Sequence, residues 1–262
     1  MTTRQSEWLA LLEEIADRAD AIARQYFLAP SLTVDEKTDA SPVTIADRTI
    51  EEAARDLVAR RRPRLGIFGE EYGTISGDDA TRLIIDPIDG TRNFVRGIPI
   101  FATLLAIEHQ AEVVAGLVSA PAMGLRWHAA RGRGAFCGVR RLHVSDIGLL
   151  SQAEIFHGDL SGAAEVAPPP GTLALFACAH RTRGFGDFYQ HVLVAEGSGE
   201  LAIDPAVKPW DIAALQVIIE EAGGRATTLK GERSIYGGSL VTSNGLVHDE
   251  ALKLLSHSSG VS

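Results

Sequence analysis

An apolar run that ends in two carboxylates three residues apart, followed at once by glycine and threonine, leaves a chain few ways to fold. Here Leu83-Ile84-Ile85 reads as a strand, and Asp86-Pro87-Ile88-Asp89-Gly90-Thr91 as the segment that leaves it. Two further acidic segments stand at the edges of predicted elements. Gly69-Glu70-Glu71 follows the apolar run Leu65 to Phe68, and Trp210-Asp211-Ile212-Ala213-Ala214 opens an apolar run far downstream.

The surrounding pattern mixes both kinds of secondary structure. Trp8, Leu11, Leu12, Ile15, Ala19, Ile22, Ala23 and Tyr26 recur at helical spacing with charges opposite, which predicts a surface helix with one buried stripe. A polar loop over 39–44 and a second helix from about Asp47 to Arg61 follow, the helix stopping before Pro63. Short apolar runs at 65–68, 83–85, 101–107 and 113–118 read as strands, the last two as a hairpin through His109-Gln110-Ala111. A break near Leu142 to Asp146 divides the chain into halves, 1–141 and 142–262. The second half carries apolar elements at 173–177, 192–195 and 201–203 and a helix from Asp211 to Gly223-Gly224. The class is α/β or α+β.

Composition narrows the function. The 262 residues carry a net charge of -9, which argues against nucleic acid, because binding to its backbone depends on clustered Lys and Arg. The one dense basic run, Arg60-Arg61-Arg62-Pro63-Arg64, closes a predicted helix, where cations complement the dipole. No stretch is long enough to span a membrane, and Cys137 and Cys178 cannot build a disulfide framework by themselves, which fits a cytoplasmic location. Gly132 to Gly138 lacks dinucleotide-binding spacing and reads as a β-turn.

Glu70, Asp86, Asp89 and Asp211 are therefore candidate ligands for a hard cation such as magnesium, provided that their segments converge. Gly90-Thr91, at the start of a helical turn through Asn93 and Phe94, would offer backbone N–H groups to a phosphate. Each residue also has a local structural account. Asp86-Pro87 and Asp89-Gly90 are turn formers, Asp211 is a candidate N-cap, and Thr44-Ile45-Ala46-Asp47 has the form of a capping box. Only their joint occurrence, at the ends of apolar elements, favours chemistry.

Lys37, Ser41 to Asp47, Gly69-Glu70-Glu71, Asp86 to Thr91 and Trp210 to Ala214 together resemble the inositol-monophosphatase superfamily of magnesium-dependent phosphomonoesterases, over nearly the whole chain. The resemblance implies a layered αβαβα sandwich with the active site between two halves, a homodimer, and two to three Mg2+ ions per site. It implies that Glu70, Asp86 and the carbonyl of Ile88 hold one ion, and that Asp86, Asp89 and Asp211 hold a second. Glu70 would also touch a third. Thr91, paired with Asp47, would orient the attacking water, while Gly90 and Thr91 receive the phosphate. The implied mechanism is in-line attack by metal-activated water on a small phosphomonoester.

Within the superfamily, Asn93 to Pro99, Val118 to Ala122, Arg126 to Gly132, Gly186 to Tyr189 and Val194 to Gly197 look most like the histidinol-phosphate phosphatase branch, an activity of histidine biosynthesis. Leu83 departs from the usual Trp, and Asp204 stands where inositol-specific members usually carry Glu. Histidinol is cationic, so Asp187 and Asp204 are its candidate contacts; their local alternatives are a helix cap before Phe188 and a turn at Pro205. An inositol-1-monophosphatase or a broad sugar phosphatase is the alternative within the class. A haloacid-dehalogenase-type phosphatase fits less well, because that family spaces its aspartates one residue apart near the N-terminus. The alternative outside enzymes is a non-catalytic metal-binding protein. The Gly73 to Asp79 loop reads equally as a mobile lid that delivers Glu70 or as a fixed connection.

Overall fold

The structure, a computed structural model, describes residues 2–29, 34–36, 42–77, 80–159 and 167–257. Lys37 and Ser41 of the matched segments, residues 39–41 of the expected polar loop, and Asp78 and Asp79 lie outside the described residues. In chain order the elements are α1 (Thr2–Tyr26), β1 (Val34–Glu36), β2 (Pro42–Thr44), α2 (Ile45–Arg61), β3 (Gly66–Gly69), β4 (Gly73–Ile75), β5 (Thr81–Asp89), α3 (Thr91–Val95), β6 (Ala102–His109), β7 (Glu112–Ala120), β8 (Leu125–Ala130), β9 (Gly134–Cys137) and β10 (Arg140–Arg141). There follow β11 (Glu154–His157), α4 (Thr172–Cys178), β12 (Arg181–Gly184), α5 (Asp187–Ala195), β13 (Leu201–Asp204), α6 (Pro209–Glu221), β14 (Arg225–Thr227), β15 (Leu240–Ser243) and α7 (His248–Ser256).

Side-chain alternation in two neighbouring strands sets the layers. Leu83 and Ile85 of β5, with Leu105 and Ile107 of β6, pack on Leu12 and Ile15 of α1 and Leu57 of α2. Ile84, Leu104 and Ala106 point the other way, against Val192 of α5 and Ile212 and Val217 of α6. These strands belong to an eight-stranded sheet in the order β10-β9-β8-β7-β6-β5-β3-β4, antiparallel except where β3 runs parallel to β5. The far side of α5 and α6 meets a five-stranded sheet, β12-β11-β13-β15-β14, through Phe156, Ala202 and Leu240. Leu175 of α4 and Ala251 and Leu255 of α7 cover that sheet's outer face. The order is αβαβα, as the resemblance implies.

Helix α6 lies between the two sheets, and its run from Ile212 to Ile219 is buried all round, with no polar stripe. Gly116 of β7 permits the close approach: a Cβ there would sit 2.6 Å from Val217 Cγ1 and 2.9 Å from the Ala214 carbonyl oxygen. Gly116→Val should therefore destabilise the protein by about 2–3 kcal/mol, as overpacking does. A urea midpoint unchanged from the parent would refute the close packing.

Several local expectations are met, and others shift. Gln110 and Ala111 both take positive φ, 52° and 63°, so the β6–β7 hairpin turns tightly without the Asn-Gly pair that would announce it. The basic run at the end of α2 serves α1: Arg61 pairs with Glu14 at 3.0 Å, and Arg62 pairs with Glu7 at 3.1 Å and lies over Trp8. The glycine-rich patch expected as a β-turn turns only at its two ends; Gly134 to Cys137 between them form strand β9. Glu221 of α6 accepts from the N–H groups of Gly132, Arg133 and Gly134 at 2.9, 3.1 and 2.8 Å. Residues 173–177 and 192–195 lie in helices. Helix α6 begins at Pro209, a favoured first position, so Asp211 is its third residue rather than its N-cap. Among the described residues no helix is long and apolar enough to cross a membrane.

Candidate active site

Residues three apart on a regular strand face opposite ways. Strand β5 avoids this: it pairs Asp86 with Leu104 and resumes at Asp89 with Ala102, so three steps on β5 match two on β6. The extra residue falls at Pro87-Ile88, where proline has no N–H to lose from the ladder. The Thr103 hydroxyl secures the bulge by donating to the Pro87 carbonyl at 2.7 Å. Both carboxylates consequently turn the same way.

Asp211 joins them from the first turn of α6. One carboxylate oxygen of each of Asp86, Asp89 and Asp211 lies within 4.8 Å of the others. The Lys208 N–H donates to Asp211 Oδ2 at 2.7 Å, a reciprocal capping contact that orients the side chain and helps hold its charge. Glu70 follows β3, its N–H bonded to the Ile85 carbonyl at 3.3 Å, and its side chain hydrogen-bonds Asp86.

The electrostatics of this cluster are those of a cation site. Burial, then the charges of Glu70, Asp89 and Asp211, push the Asp86 carboxyl well above the usual carboxylate range. Burial, followed by Asp187 and Asp211, does the same to Asp89, against the Phe188 N–H. Burial raises Asp211 to about 7. Asp86 is 2% exposed, and its buried Oδ1 has no hydrogen-bond partner among the described residues. An orphaned buried carboxylate oxygen inside an all-oxygen set fits a hard divalent ion.

Next to the cluster, Gly90 adopts the left-handed conformation at φ 81°, and a Cβ there would lie 2.9 Å from the Ile100 carbonyl oxygen. The turn lets α3 start at Thr91 with its first N–H groups free of helical partners. The Thr91 hydroxyl donates to the Ile88 carbonyl at 2.8 Å and stands 3.5 Å from Asp47 Oδ1. Asp47 Oδ2 accepts from the Thr44 N–H and hydroxyl at 2.8 and 2.6 Å. The capping box expected of Thr44 and Asp47 is thus present, and it leaves one Asp47 oxygen facing Thr91.

Asp187 and Asp204 line a cavity of about 450 Å³ together with Asp89, Asn93, His157 and Asp211. Asp187 does not cap the helix at Phe188. The Phe188 N–H donates instead to Asp89 Oδ2 at 2.6 Å, and Asp187 Oδ2 accepts from Asn93 Nδ2 at 2.8 Å. Burial, then Asp204, raises the Asp187 carboxyl to about 7, with Arg92 opposing. Asp204 ends β13, and its Oδ2 accepts from Gln190 at 2.6 Å and approaches His191 Nε2 at 2.9 Å. His191 is buried and lies 2.8 Å from the Thr242 hydroxyl through Nδ1. Sequence reasoning assigned no role to Asn93, Gln190 or His191. The Asn93–Asp187 contact spans 94 positions and has no local signal.

Fold and site together define a metal-assisted phosphoric monoester hydrolase. The chain belongs to the inositol monophosphatase family, which it matches over residues 4–259. It is 44% identical to the histidinol-phosphatase of Mycobacterium tuberculosis over 252 residues, covering 94% of this chain and 97% of that one. Identity to the histidinol-phosphatase of Streptomyces coelicolor is also 44%, over 94% of this chain and 96% of the relative. Among solved structures, the extragenic suppressor protein suhB of Bartonella henselae superposes with a TM-score of 0.88 at 30% identity, covering 97% of this chain and all of the other.

Proposed function

We propose that the protein hydrolyses histidinol phosphate to histidinol and phosphate with the help of magnesium. The observation that carries the substrate choice is a second pair of acids, Asp187 and Asp204, lining the same cavity as Asp89 and Asp211. One acidic group binds the cation that meets the phosphate. The other pair faces the alcohol, where the ammonium of histidinol is a better partner than a neutral polyol. The 44% identity to two histidinol-phosphatases supports the same choice.

In this reading Glu70, Asp86, Asp89, Asp211 and the Ile88 carbonyl would hold two to three magnesium ions. When bound, the ions supply Lewis acidity, offsetting phosphoryl charge and lowering the pKa of water. The chain's own groups do the rest. The N–H groups of Gly90 and Thr91 receive phosphate oxygens at the start of α3. Thr91 would swing its hydroxyl hydrogen from the Ile88 carbonyl to Asp47 Oδ1 and accept one from the attacking water, so that the pair orients that water and guides its proton. Residues 1–141 supply the phosphate end of the site, and residues 142–262 supply Asp211 and the alcohol end.

Side-by-side measurement of kcat/KM decides the substrate. Histidinol phosphate is expected to exceed inositol-1-phosphate by at least ~100-fold, since a site built around charge loses a partner with the neutral alcohol. A preference for the inositol ester would overturn the substrate and leave the reaction class standing.

A further inference from the structure

Glu51 lies on α2, one turn beyond Asp47, and its side chain is fully buried. A buried carboxylate demands partners, and Glu51 finds them in the turn that carries Glu70. The Glu71 N–H donates to Oε2 at 2.7 Å and the Tyr72 N–H to Oε1 at 3.2 Å. Arg55, a further turn along α2, donates to Glu51 Oε1 through Nη2 at 2.6 Å and Nε at 2.9 Å. The same Arg55 Nη2 reaches the Gly73 carbonyl at 2.5 Å, across the turn. Gly69, the residue before Glu70, has no room for a side chain: a Cβ there would fall 2.0 Å from Glu51 Oε1.

These contacts enclose Glu70 from both sides. Gly69 is pressed against the Glu51 carboxylate, Glu71 and Tyr72 donate to it, and Gly73 accepts from its arginine partner. The Tyr72 ring adds to the hold, with Arg55 5.7 Å from its centre and its hydroxyl donating to Glu52 of the same helix. Helix α2 also carries Asp47, which faces Thr91. One rigid helix therefore sets both the Thr91–Asp47 pair and the Glu70 turn.

We propose that Glu51 and Arg55 are positioning residues that act through Glu70, holding its carboxylate ready for the divalent cation before the cation arrives. This rests on the reading of Glu70 as a cation ligand. Preorganisation lowers the cost of binding, because ordering the turn would otherwise be charged against cation affinity. Without the clamp, Glu70 must be recruited from a looser turn each time.

The test is calorimetric titration of the metal-free, full-length protein with Mn2+, alongside the Mg2+ dependence of turnover. Glu51→Gln removes the charge that gathers two N–H donors and a guanidinium, and should weaken cation binding by about tenfold and raise the half-saturating Mg2+ to match. Arg55→Lys keeps the charge but loses the fork and the reach to Gly73, and should act in the same direction by a few-fold. In a Glu70→Gln background, Glu51→Gln should weaken binding no further. A Glu51 variant that melts lower yet binds Mn2+ as the parent does would reduce Glu51 to a fold residue and overturn the proposal. If Glu51→Gln does not fold, Arg55→Lys alone decides by the same criterion. Should Glu70→Gln itself leave Mn2+ binding unchanged, the ligand reading of Glu70 fails instead, and the two failures are told apart.

Discussion

Replacing Asp86 by asparagine should abolish hydrolysis, by at least ~10³-fold, while making the metal-free protein more stable. The two effects share a cause. Asp86 is buried among Glu70, Asp89 and Asp211, and one of its oxygens has no hydrogen-bond partner among the described residues. A neutral amide of the same shape removes the repulsion and donates to the neighbouring carboxylates, so the melting temperature without metal should rise by about 2–4 °C. Added Mg2+ should raise the parent's melting temperature and leave the variant's nearly unmoved. Near-normal turnover in Asp86→Asn would remove the cluster from the reaction. A lower metal-free melting temperature would show that the carboxylate stabilises the fold by itself.

The second large effect is the pH dependence of stability without metal. Asp187 and Asp211 keep their protons to about pH 7 in the folded protein, against an ordinary value of 3.8, and Asp86 and Asp89 are also raised. Over that window the folded state holds more protons than the unfolded chain, so stability is highest on the acid side and is lost as pH rises toward 7. His248 works the other way. Burial between Thr227 and Ser243 lowers it from 6.5 to about 4, so its contribution grows as pH rises through that interval. Each group contributes at most about 1.4 kcal/mol per pH unit. The carboxyls outnumber the histidine, and at pH 5 the metal-free protein should melt above its value at pH 7.5. Magnesium should reverse the order, because it favours the ionised acids. A metal-free melting temperature that climbs steadily from pH 5 to 7.5 would show that the cluster does not carry these protons.

Much of the site was legible because its parts are local. The strand Leu83 to Ile85, the glycine at position 90, the helical turn at Thr91 and the Thr44–Asp47 box all depend on neighbours within a few residues, and all stand where the sequence placed them. One misreading was local too: a proline at the first helical position moved the start of α6 two residues earlier. The helix contact weighed as the alternative role of Asp187 is made by Asp89. The β6–β7 hairpin was read from its two strands alone, because Gln110 and Ala111 hold a backbone shape that glycine or asparagine normally signals.

The sequence alone determined the residue types and their order: four acids at the ends of apolar elements, glycine before threonine, and a net charge of -9. Tertiary structure alone decided their convergence. The bulge at Pro87-Ile88 exists only against β6, and Asp211 reaches Asp86 only because α6 is held between two sheets. Asn93 meets Asp187 across 94 positions, and Glu51 grips a turn twenty residues away. Spacing along a chain reports geometry only within one element. Contacts between elements follow from how buried faces pack, and that packing brought the two carboxylates three residues apart onto one side of a single site.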